Sequence, residues 1–105
     1  MEFTFATKDI RDICERKEVA QKELGQDVAL VLCHRLADLG AASNLADFPV
    51  EKNQISSEEY KINLTQGFIL RFCINQNDKA YKSESSIDDK KVYRISIMYI
   101  GEDND

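Results

Sequence analysis

The hydrophobic period of this chain changes in its middle, and that change restricts the fold more than any other feature of the sequence. From Ile10 to Leu39 apolar residues recur at intervals of three and four, whereas from Tyr60 to Ile74, and again from Val92 to Ile100, they alternate with polar ones or with each other at a period of two. The first spacing gathers side chains on one face only in a helix, the second only in a strand. A helical first half followed by strands defines an α+β class: an N-terminal strand and an α-helical hairpin packed on a small antiparallel β-sheet.

The helical half has its own punctuation. Phe3 and Phe5 alternate with Glu2, Thr4 and Ala6 as a short strand. Thr7 offers a hydroxyl to cap a helix over about 8–23, with Asp9 in its first turn, where the helix dipole favours an anion. Ile10, Ile13, Cys14, Ala20 and Leu24 make its apolar stripe and Gly25 ends it. Asp27 can cap a second helix running to about Leu39, where Ala29, Leu30 and Cys33 widen the stripe and predict the more buried of the two. Only Gly25 and Gln26 separate the helices, so they pack antiparallel. Pro49 and the turn formers Asn44, Asp47 and Asn53 make 41–57 a crossing loop.

In the second half Tyr60, Ile62 and Leu64 line one face of a strand, Gln66-Gly67 turns the chain, and Phe68, Leu70, Phe72 and Ile74 line the next. The stretch 75–91 is polar without either period and reads as a long mobile loop. In the last strand strict alternation sorts Arg94, Ser96, Met98 and Ile100 from Tyr93, Ile95, Ile97 and Tyr99, and two apolar faces predict an interior place in the sheet. An acidic tail, 101–105, follows. At 105 residues this organisation fits a single domain, 1–105.

Composition excludes several classes. No window holds the roughly 18 continuous apolar residues of a membrane span, and three widely spaced cysteines without a Cys-x-x-Cys pattern suit reduced thiols of a cytoplasmic protein. His34 is the single histidine, which excludes a metal site built on several imidazoles; no metal and no cofactor is expected. Gly-rich phosphate loops and the nucleophile motifs of the common hydrolases are absent. A net charge of -5 opposes non-specific nucleic-acid binding, although acids gathered in Glu58-Glu59, Asp88-Asp89 and Glu102-Asp103 leave room for a locally positive face. Lys61, Arg71 and Arg94 are the informative cations. Each lies on a different strand and alternates with core residues, so they either solubilise the sheet or converge on a shared anionic site.

The order of elements, the Phe3-x-Phe5 strand, the Arg35-Leu36-Ala37-Asp38-Leu39-Gly40-Ala41-Ala42 helix end, the Asp47-Phe48-Pro49 turn and the Leu64-x-x-Gly67-Phe68-x-Leu70-x-Phe72 strand resemble the RelE/ParE toxin superfamily in its HigB-like "killer protein" branch. The resemblance implies the toxin of a type II toxin-antitoxin system, held by a cognate antitoxin protein of helix-turn-helix type, that cuts messenger RNA on the ribosome. It places Arg71, Lys61, Arg94 and Glu102 in the catalytic set and Lys52 and Tyr99 among the RNA contacts. Where that family carries Asp-Tyr-His, this chain has Glu102-Asp103-Asn104. Two further readings therefore stay open: a toxin of the same fold that binds a protein, as gyrase inhibitors do, and a catalytically degenerate binding homologue.

Overall fold

The structure, a computed structural model, describes residues 1–84 and 86–104. Ser85 of the polar stretch and Asp105 of the acidic tail lie outside the described residues. Among the latter the chain forms strand β1 (Glu2–Phe5), helices α1 (Lys8–Glu15), α2 (Lys17–Leu24) and α3 (Gln26–Ala41), and strands β2 (Asn53–Gln54), β3 (Glu59–Asn63), β4 (Phe68–Ile74) and β5 (Arg94–Glu102). Turns of 3₁₀ helix occupy Leu45–Asp47 and Asp89–Lys91.

Thr7 Oγ1 accepts from the Ile10 amide at 3.1 Å and starts α1. The expected first helix is divided: Arg16 is extended, at φ -124° and ψ 110°, and separates α1 from α2. The run Glu15-Arg16-Lys17-Glu18 brings no apolar side chain to the core, so packing does not hold that turn helical. In α3, Val28, Ala29, Leu32 and Leu39 are buried, but Leu30 and Cys33 are exposed, so the buried stripe is narrower than the sequence spacing implied.

The sheet order is β1-β5-β4-β3-β2. It is mixed and not purely antiparallel: β1 runs parallel to β5, with Phe3 opposite Ile95 and Phe5 opposite Ile97. Alternation reveals which face a residue takes and is silent about strand direction, and the helices between β1 and β5 supply the long crossover that a parallel pair needs. The β3–β4 hairpin turns at Gln66-Gly67, both at positive φ (56° and 80°), with the Phe68 amide donating to the Thr65 carbonyl at 3.0 Å. The ladder slips once, between Arg71 and Phe72: Tyr99 faces Arg71 and Ile97 faces Phe72, leaving Met98 as an extra residue in β5.

That slip reverses the faces beyond it. Ile100, opposite the fully buried Leu70, joins the core face with Ile95 and Ile97, while Tyr99 joins Arg94 and Ser96 on the other face. Uninterrupted alternation assigns these residues the opposite way. The core face meets α3 and the Leu45–Phe48 turn through Leu32, Leu39, Leu45, Phe48, Ile62 and Phe72.

The polar stretch after β4 is anchored at both ends and in its middle. Gln76 is buried; its Nε2 donates to the carbonyls of Asp78 and Lys91, both at 3.0 Å, and its Oε1 accepts from the Tyr93 amide at 3.0 Å. Tyr81 is fully buried, its hydroxyl donates to Glu58 Oε1 at 2.9 Å, and Lys82 Nζ meets the same oxygen at 2.7 Å. The Lys82 and Tyr81 hydrogen bonds hold the Glu58 carboxyl below its ordinary value of 4.5. A group with a depressed folded pKa stabilises above its unfolded value and loses that contribution as pH falls through the folded one. The hydrogen bonds from Tyr81 and Lys82 are therefore expected to loosen as pH falls below the ordinary carboxylate value of 4.5. Amide exchange of Tyr81 and Val92 on either side of that value checks it. The acid step should disappear in Glu58→Gln, and a step that persists there would exclude Glu58 as its source.

Candidate functional site on the open sheet face

Among the described residues the helical side chains that join the core pack with Ile62, Leu70, Phe72, Ile95 and Ile97, which leaves the other face of the sheet without a helix. Register places on it Glu59, Lys61 and Asn63 of β3, Ile69, Arg71 and Cys73 of β4, Arg94, Ser96, Tyr99 and Gly101 of β5, and Thr4 of β1. Lys61 and Arg71 are directly opposite one another, and Arg71 is directly opposite Tyr99. Period two in β3 and β4 puts the cations side by side; the slip in β5 puts the aromatic ring under the guanidinium.

Arg71 Cζ sits 4.7 Å from the centre of the Tyr99 ring. Its Nη1 is 4.0 Å from Glu59 Oε1, a loose pair, and its Nε is buried without a hydrogen-bond partner. Tyr99 is held in turn: its hydroxyl donates to the Glu102 carbonyl at 2.7 Å. This needs Gly101, because a Cβ there would lie 2.7 Å from the Tyr99 hydroxyl oxygen. Gly101→Ala is therefore expected to fold normally but to swing Tyr99 away, breaking both the Glu102 bond and the Arg71 stack at a cost of about 1 kcal/mol. The near-ultraviolet tyrosine signal reports it, and an unchanged signal would remove the stack's dependence on Gly101.

Lys61 Nζ donates to Asp103 Oδ2 at 2.9 Å, and the side chains are only 19% and 27% exposed. Screening by water is thus reduced relative to a surface ion pair. Asp103 arrives because its amide donates to the Gly67 carbonyl at 2.9 Å, which lays the segment after β5 beside the hairpin turn. Ile69, on the same face, is only 4% exposed. Ile69, Arg71, Tyr99, Glu102, Asp103 and Asn104 line a shallow cavity of about 160 Å³.

The remaining predicted residues are placed elsewhere. Arg94 shares the open face but lies beside Asn75, its carbonyl accepting from the Asn75 amide. That is four residues along β4 from Arg71, or roughly 13 Å. Arg94 has no ion-pair partner among the described residues. Lys52 is bound to Asp89 at 3.1 Å, tying the crossing loop to the Asp89–Lys91 turn, and does not line the cavity. Glu102 contributes its carbonyl to Tyr99 and its side chain is exposed. His34 is exposed on α3. Glu59, Gly101 and Asp103 are members of the site that alternation and composition did not single out.

Burial first, then the Glu59 and Glu58 charges, pushes the Cys73 thiol up, so it is protonated at neutral pH and a poor nucleophile. A larger apolar cleft of about 350 Å³ lies among the three helices, with Ile13, Cys14, Leu30 and Leu36 in its lining. Its thiol Cys14 is pushed to about 12, chiefly by burial. The chemistry on the open face is therefore that of two neighbouring cations, one stacked on an aromatic ring and one already bound to a carboxylate. Comparison with known proteins returns no match: no family model, no curated protein and no solved structure aligns significantly with this chain. Among the described residues no helix is long and apolar enough to cross a membrane.

Proposed function

We propose that the chain is a toxin of RelE/ParE type, cytoplasmic and neutralised by a cognate antitoxin protein, that acts by docking its open sheet face on a protein. The Lys61–Asp103 pair carries this reading. Cutting RNA by the route the resemblance implies requires cations free to meet the phosphate, and a positioned acid and base near the ribose hydroxyl. Here Lys61 is 2.9 Å from a carboxylate of its own chain, Glu59 stands near Arg71, and Glu102-Asp103-Asn104 occupy the place of the family's Asp-Tyr-His. A face of interleaved opposite charges around an aromatic ring suits recognition of a protein surface.

Ribosome-dependent cleavage of messenger RNA is the second reading. It is favoured by one observation, the Arg71 guanidinium stacked on Tyr99 beside an open cavity with its Nε unpartnered.

Induced expression of the chain separates the two. Growth arrest with intact messenger RNA is the expected result, relieved by Arg71→Ala in a chain that stays folded at a stability cost of no more than about 1 kcal/mol. Arrest accompanied by cuts at positioned codons would transfer the reading to the nuclease, and the absence of any arrest would reject both.

A further inference from the structure

Four observations bear on what the open face binds. Lys61 is held by Asp103, and the Asp103 contact comes from a segment past the end of β5. Asp103 and Asn104 of that segment line one cavity with Ile69, an apolar side chain of the open face that is only 4% exposed. Beside it Arg71 is fixed by stacking, has a buried Nε without a partner, and meets Glu59 only at 4.0 Å. The cavity between them is lined by both the cation and the covering segment.

We propose that Lys61 and Arg71 form a binding site for the carboxylates of an acidic peptide segment, and that Asp103 and Asn104, just past the end of β5, form a displaceable cover in which Asp103 stands in for the ligand carboxylate. The inference rests on the protein-docking reading above and names the chemistry of the partner. Three physical points select a peptide carboxylate. The group already on Lys61 is a carboxylate at hydrogen-bonding distance. The guanidinium of Arg71 lines the cavity and meets Glu59 only loosely, at 4.0 Å from Nη1, and a planar guanidinium is the group that takes a carboxylate in two parallel hydrogen bonds. A net charge of -5 repels a long phosphate backbone, while a short acidic segment needs only the local pair. Exchange of one carboxylate for another preserves the ion pair at Lys61. The ligand then offers Arg71 a closer carboxylate than the 4.0 Å Glu59 contact, and Ile69, in the same cavity, becomes available to an apolar neighbour in the peptide.

The test compares the full chain with Asp103→Asn, which keeps the backbone bond to Gly67 and removes the charge. Binding of fluorescent hexaglutamate is read by anisotropy at low salt. Asp103→Asn is expected to bind about five-fold more tightly than the wild-type chain, the order of effect for removing one partly buried competing charge. The double variant Lys61→Gln/Asp103→Asn should lose that gain. Equal affinity of the wild-type chain and Asp103→Asn, or a gain that survives loss of Lys61, overturns the proposal. Labelled hexauridylate is measured alongside, and a larger gain for it than for hexaglutamate overturns the peptide assignment in favour of phosphate. Amide spectra establish that each variant is folded. Because these measurements use purified protein, a gain in peptide binding without growth arrest leaves this site standing and rejects the toxin reading; arrest without the gain does the reverse.

Discussion

Replacing Tyr81 by alanine is expected to lower the unfolding free energy by about 4 kcal/mol, the order found for truncating a large buried aromatic. The ring is fully buried and belongs to the same core cluster as Tyr60, Ile74 and Val92. Against a total of about 5–15 kcal/mol for a small domain, such a loss removes a quarter or more of the stability. Tyr81→Phe isolates the hydroxyl: it deletes the bond to Glu58 but keeps the ring, and Lys82 continues to hold that carboxylate, so about 1 kcal/mol is expected. Urea unfolding of the two variants gives both numbers. A Tyr81→Ala chain within about 1 kcal/mol of wild type would mean that the segment after β4 is a surface loop independent of the core.

Tyr81 also shows why part of the fold was hidden in the sequence. An aromatic anchor in a polar run creates no period, and period was the signal that located the helical half, with α1 and α2 read as one helix, and the three longer second-half strands. Gln76 is equally silent, since two of its three hydrogen bonds to backbone reach Lys91 and Tyr93, which are distant in sequence. The break at Arg16 was obscure for another reason: charged residues are good helix formers, and only the lack of an apolar side chain to hold that turn ends α1. The parallel pairing of β1 with β5 is a long-range choice that alternation does not encode.

For the site, parity in β3 and β4 sufficed to set Lys61 beside Arg71, because both strands are regular there. Asp103 was readable only as one acid in an acidic tail. What makes it part of the site is a backbone bond to Gly67, and no side-chain pattern records that bond. Tyr99 came into view as a candidate, but strict alternation gave it the wrong face.

The sharpest test of that face is a comparison between adjacent residues. Because Met98 has no partner in β4, the chain beyond it is shifted so that Ile100 meets Leu70 on the core face and Tyr99 meets Arg71 on the open one. Ile100→Asn is expected to cost about 3 kcal/mol, combining lost apolar burial with a polar amide placed against the core. Tyr99→Asn should cost about 1 kcal/mol, since it forfeits the guanidinium stack and one hydrogen bond on a half-open surface. A regular strand predicts the reverse order, so the ranking in urea unfolding decides between them whatever the absolute values. The same geometry makes deletion of Met98 mild, within about 1 kcal/mol, although it removes a residue from the middle of an interior strand. Without the extra residue, Ser96, Ile97, Tyr99 and Ile100 follow one another in simple alternation and each keeps the face it already has. If instead the deletion unfolds the protein, the slip supplies twist that the sheet needs, and the stack of Arg71 on Tyr99 depends on that curvature as well as on register.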